Sequence, residues 1–78
     1  IKIINPVSNG YLEIYNNKKI KGNTRLTISS FDGRQIFNQI IDLKEGKNSI
    51  PMHGIVTGSY ILSLENKDYQ KIFKIIKK

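Results

Sequence analysis

Residues 25–31 alternate apolar and polar side chains ahead of the pair Asp32-Gly33, and with the apolar-rich arm that follows the pair they commit the chain to antiparallel β structure. Leu26 and Ile28 fall on one face of the first arm, with Thr27 and Ser29 on the other. Asp32-Gly33 supplies the positive φ of a type I′ hairpin turn. The returning arm, residues 34–41, carries Ile36, Phe37, Ile40 and Ile41.

The same grammar runs through the rest of the chain, with turn signals about every 8–12 residues. A short opening segment at residues 2–4 stops at Asn5-Pro6, and Asn9-Gly10 turns the chain into a strand at 11–15. Asn16, Asn17, Lys18 and Lys19 form a polar loop. Glu45-Gly46 centres a second turn, followed by a short strand at 48–52 whose Pro51 belongs at a sheet edge. Residues 53–57 read as a loop. Gly58 then opens a strand at 59–65 that sends Tyr60, Leu62 and Leu64 to one face, and Asn66-Lys67-Asp68 turns it into a last strand at 69–77. The expectation is an all-β fold: a single domain over residues 1–78, built as a small antiparallel immunoglobulin-like β-sandwich of six to seven strands.

Composition points the same way. Ile is the commonest residue and Ala is absent, so a β-branched residue dominates while the strongest helix former is missing. A chain of 78 residues buries only roughly 60–65% of its unfolded surface, which leaves a thin core and no deep pocket. With no cysteine, neither disulfides nor a thiolate metal site can support it. No apolar run approaches the ~18–20 residues needed to span a bilayer, so no stable membrane insertion is expected, and these 78 residues contain no signal peptide. The chain begins at Ile1 rather than Met, as expected of a piece cut from a longer protein.

The net charge of +7, from 13 Lys and Arg against 6 Asp and Glu, suits an anionic partner. Compositional bias gives the same excess, since Lys, Asn and Ile rise together in AT-rich genomes. A basic β domain with Tyr11, Tyr15, Phe31, Phe37, Tyr60, Tyr69 and Phe73 could stack bases beside phosphate-binding lysines. Most of these aromatics fall within apolar alternation, however, so nucleic acid is not the expected partner.

Catalysis needs converging groups, and this chain supplies few. His53 is the only histidine and sits in a loop with no cysteine to pair with. Asp32, Asp42 and Asp68 stand where turn chemistry already explains them. The glycines are spaced as strand punctuation, not as a phosphate loop. No catalytic residue, metal or cofactor is expected.

The last strand holds the most specific surface. Lys71 and Lys77 share a face with Phe73 and Ile75, while Ile72, Lys74, Ile76 and Lys78 share the other. An edge strand offers unpaired backbone groups to a receptor, and edge lysines also guard against aggregation; both roles follow from the same geometry. Gly58 and Tyr60 read as a flexible strand opening followed by a core tyrosine with its hydroxyl at the rim, residues that shape the domain without touching a receptor.

Three segments carry a further signal: residues 5–14, opening with Asn5-Pro6; residues 26–36, with Asp32-Gly33 between two strands; and residues 50–78, with Gly58-Ser59-Tyr60 leading to Lys71, Lys74, Lys77 and Lys78. Together, in this order and spacing, they resemble the type A-like C-terminal sorting domain of type IX secretion, found on cargo proteins of Bacteroidetes. The chain departs from that pattern where Ile3-Ile4 precedes Asn5-Pro6, where Asp32 directly precedes Gly33, and where Ile55-Val56-Thr57 replaces a Leu-Pro. The resemblance implies an address rather than an activity. An N-terminal cargo domain would cross the inner membrane, reach the outer-membrane translocon through this domain, and arrive at the cell surface or be released. A cell-surface sortase would remove the domain by cutting upstream of Ile1. The competing expectation is an accessory fibronectin-like or carbohydrate-binding sandwich on a secreted enzyme.

Overall fold

A computed structural model of the chain describes residues 1–5, 7, 10–17, 22–52 and 54–78. Pro6, Asn9, Lys18, Lys19 and His53, assigned above to turns, loops or motifs, lie outside the described residues. The strands are β1 (Lys2–Ile3), β2 (Tyr11–Asn16), β3 (Gly22–Ser29), β4 (Gln35–Leu43), β5 (Gly46–Pro51), β6 (Gly58–Asn66) and β7 (Tyr69–Lys77). They form two antiparallel sheets, ordered β1-β2-β5 and β4-β3-β6-β7. Consecutive strands pair as hairpins in β3-β4 and β6-β7, while the chain changes sheet between β2 and β3, β4 and β5, and β5 and β6. This is the immunoglobulin-like sandwich that the strand spacing anticipates.

Alternation sets what each strand buries. Leu12 and Ile14 of β2 face Leu26 and Ile28 of β3 and Leu62 and Leu64 of β6 across one core, all fully buried. Leu43, Ile50, Met52, Tyr60, Ile75 and Val7 complete it. Burying each of these aliphatic side chains contributes about 1.5–3 kcal/mol against the cost of ordering the backbone. Thr24 occupies an inward position of β3 near its start and satisfies its hydroxyl locally, donating to Gly22 O at 3.2 Å.

The phase that sends Leu12 and Ile14 inward turns Tyr11 and Tyr15 outward, 45% and 41% exposed. Phe31, in the β3–β4 turn, is also exposed, so these three aromatics stand outside the core. In β4 the apolar residues divide: Phe37 and Ile41 pack against the core, and Ile36 and Ile40 face solvent.

The β3–β4 turn departs from the expected two-residue form. Gly33 N–H donates to Ser30 O at 3.0 Å and Ser30 N–H to Arg34 O at 2.9 Å, enclosing Phe31, Asp32 and Gly33, with a register shift between Ile28 and Ser29. Gly33 supplies the positive φ, 91°, as the left-handed residue that closes a three-residue loop. Asp32 holds the loop by accepting from the Ser30 hydroxyl and the Arg34 N–H. At the β4–β5 turn Asn48 plays a similar part: its Oδ1 accepts from Lys44 N–H at 3.0 Å and its amide donates to Lys44 O at 2.9 Å.

The hydrogen bonds from Ser30 and Arg34 hold the Asp32 carboxyl below its ordinary pKa. A carboxylate depressed in the folded state adds stability above its unfolded pKa of about 4, and that stability is lost as pH falls through the lower folded value. Urea midpoints should therefore fall more steeply for the wild-type chain than for Asp32→Asn between about pH 5 and pH 2. Parallel curves would show that the turn does not depend on the charge.

Candidate recognition edge

β7 lies at one edge of the four-stranded sheet, and β6 is the strand it pairs with along its length, from Gly58↔Lys77 to Asn66↔Tyr69. Successive residues of a strand direct their N–H and C=O to opposite sides, so every second residue of β7 aims these groups away from β6. The bonds made by Lys74 O, Ile76 N–H, Ile76 O and Lys78 N–H identify the even-numbered residues as the outward set.

The opening of the chain occupies one half of this edge. The Asn5 amide donates to Lys74 O at 3.1 Å, and its Oδ1 accepts from Ile76 N–H at 3.1 Å. Val7 N–H then donates to Ile76 O at 2.7 Å, and Lys78 N–H donates to Val7 O at 3.0 Å. Val7 pairs with Lys77 in parallel. One side-chain amide followed by the backbone N–H and C=O of one residue thus imitates an added strand. Asn suits the first position because its amide offers a donor and an acceptor on one planar group. The N–H and C=O of Gln70 and Ile72 and the N–H of Lys74 face outward with no partner strand among the described residues.

The lysines divide between the two faces, as the alternation predicts. Lys74 projects on the outer face between Ile72 and Ile76, which are 62% and 43% exposed. Its ammonium stands 5.8 Å from the centroid of the Phe31 ring, which brings the β3–β4 turn to the β7 surface. Lys71 lies on the core-facing side beside half-buried Phe73, its ammonium 5.4 Å from that ring centroid. Lys77 is partly buried near the Asn5–Val7 contact, while Lys78 is exposed. Burial pushes the pKa of the Tyr69 phenol up where β7 begins.

Gly58 and Tyr60 sit at the start of β6. The Tyr60 hydroxyl donates to Val56 O at 2.6 Å while its ring packs in the core, tying the Gly54–Thr57 connection to the sandwich. A Cβ at Gly58 would meet the Tyr60 ring only at 3.7 Å, so space does not require glycine there; its φ of 157° does. Asp32 and Gly33 shape the turn that carries Phe31. The sequence reading missed Asn5 as the residue that closes the edge and Phe31 as a neighbour of Lys74. A polar residue just before Pro6 gave only the hint of a turn, and the pairing spans the length of the chain.

No group of three His, Cys, Asp or Glu side chains gathers among the described residues. A surface depression of about 330 Å³ between β4 and β5 is lined by Asp42, Lys44, Lys47 and Asn48, among others, without a paired nucleophile and base.

Replacing Asn5 by Ala should free Ile76 N–H, raising its amide exchange about two- to tenfold while Ile75, bonded toward β6, is unchanged. Equal exchange at Ile76 would mean that Val7 holds the edge alone. Tyr60→Phe should lower the unfolding free energy by about 1 kcal/mol in urea titration, through loss of the bond to Val56.

A search of curated proteins finds no match to this chain. The family model of the secretion system C-terminal sorting domain matches residues 5–78, from the Asn5 contact to the end of the β7 edge. It supports a sorting signal over a carbohydrate-binding accessory module. The chain belongs to the family of type IX secretion C-terminal sorting domains, which mark proteins for export across the outer membrane to the cell surface or for release.

Proposed function

We propose that this domain is the C-terminal address of a longer cargo protein and that the type IX machinery reads it at β7, through Lys71, Lys74, Lys77 and Lys78. The observation that carries this reading is the position of β7: a nine-residue edge strand with no acidic side chain and cations on both faces. Asn5, Pro6, Asp32, Gly33, Gly58 and Tyr60 serve it by shaping the sandwich that presents this strand. A cell-surface sortase then removes the domain by cutting on its N-terminal side, and the cargo is attached to the surface or released.

An address of this kind performs no chemistry. It must be legible whatever precedes it, so a self-contained sandwich with a reading surface on one edge fits the task. Cations at a rim mainly steer encounter and select partners of opposite charge.

The test is a periplasm-targeted reporter carrying this chain at its C-terminus, expressed in a bacterium with the type IX machinery. Changing Lys71, Lys74, Lys77 and Lys78 together to Gln should leave a folded domain, checked by circular dichroism, and lower surface delivery by at least about tenfold. Delivery of that folded variant at the wild-type level would overturn the lysine reading.

A further inference from the structure

Among the described residues, β7 is closed at one end and open at the other. We infer that the open half, residues 70–74, accepts an extended acidic-apolar segment of the secretion machinery as an added strand, in a register fixed by the Asn5–Val7 contact. The inference rests on the sorting role of β7 and specifies the partner's chemistry.

The backbone supplies the first argument. Gln70 and Ile72 each direct an N–H and a C=O outward, and Lys74 adds an N–H. Asn5 and Val7 show that the outward groups of this edge are open to strand-like bonding, since they bond to its next groups in the same pattern. A partner that slides toward Ile76 meets the Asn5 amide, so slippage in that direction is blocked. Register matters here because a one-residue slip would exchange the two faces of the added strand.

Side chains supply the second. On the outer face an incoming strand meets Ile72, 62% exposed, and then Lys74; on the other it meets Lys71 and Phe73. An apolar side chain opposite Ile72 and a carboxylate opposite Lys74 would match the first face. A carboxylate opposite Lys71 and an apolar residue near Phe73 would match the second. The Phe73 and Phe31 rings, one on each face, lie beneath the Lys71 and Lys74 ammonium groups and keep them beside the edge without neutralising them.

Charge excludes the competing occupants. Edge-to-edge pairing with a second copy would bring together two chains of +7 each. The other long edge strand, β4, carries Asp42 and no cation, so it does not attract an acidic segment. On β5, Pro51 lacks an N–H and Lys47 is paired with Glu13 at 3.2 Å.

The decisive substitution removes one outward N–H without touching the β6 ladder. Proline is tolerated where its missing N–H faces away from the sheet, and Ile72 meets that condition. Four reporter fusions are compared in the type IX host: wild type, a chain lacking β7, Ile72→Pro, and Ile72→Val, which keeps both the N–H and an apolar β-branched side chain. We expect the β7-less chain and Ile72→Pro to lose at least about tenfold in surface delivery while Ile72→Val stays within about threefold of wild type. If the β7-less chain is still delivered, the sorting role of β7 itself fails. If it is blocked but a folded Ile72→Pro is delivered normally, only the added-strand inference fails. If Ile72→Pro does not fold, the decision passes to the wild-type chain and a synthetic peptide of alternating Val and Glu at about 1 mM. Amide chemical-shift changes at Gln70, Ile72 and Lys74 support the inference; no change, or changes confined to β4, overturn it.

Discussion

Two sheets held by a single apolar layer impose one constraint on every strand: its phase. Leu12, Ile14, Leu26, Ile28, Leu62 and Leu64 are all fully buried, and a chain without cysteine has no disulfide to hold the sheets together. A one-residue slip in any of these strands would turn its apolar set into solvent. The locations of the other side chains follow. Tyr11 and Tyr15 face outward because Leu12 and Ile14 face inward, and Lys74 stands between two exposed isoleucines because Ile75 is in the core.

Fixing the phase also decides how the sheet edges are managed. A small sandwich cannot close on itself as a barrel does, so its outer strands keep backbone groups that invite pairing. This chain treats its edges differently. β5 ends in proline, β4 stays almost free of charge, and β7 is half covered by Asn5 and Val7 and otherwise flanked by lysines. The partial cover is informative in itself: full cover would hide the strand from a receptor, and no cover would leave its pairing register unset.

Much of this was legible in the sequence where the causes are local. The last strand, its two faces, the inward set of β6 and the edge position of Pro51 all follow from period-two alternation and proline chemistry. The β3–β4 turn was only half legible. Gly33 announced a positive φ, but the loop's length depends on the Ser30, Asp32 and Arg34 hydrogen bonds, which a dipeptide does not reveal. Apolar pairs such as Ile40-Ile41 gave no phase, because both members suit a strand and only the register with β3 divides them. The Asn5 contact was out of reach for a stronger reason: it joins residues 71 positions apart, and no local pattern encodes such a pairing.

That distant contact also bears on whether the lysines guard the edge or invite docking. Guarding needs only charge along exposed backbone, and it would be most useful where the backbone is unpaired. Lys77 instead lies where Asn5 and Val7 already occupy the outward groups, so aggregation at that end is blocked without it. At the open end, Lys71 and Lys74 are each held over an aromatic ring, which restrains side chains that a mere guard would leave free. In the proposed docking, cations placed beside N–H groups that lack a partner among the described residues would give an acidic segment a fixed pattern to match, and fixing it beforehand lowers the ordering cost of binding. The same residues can still deter self-association, because a second copy presents the same positive charge that an acidic segment would complement.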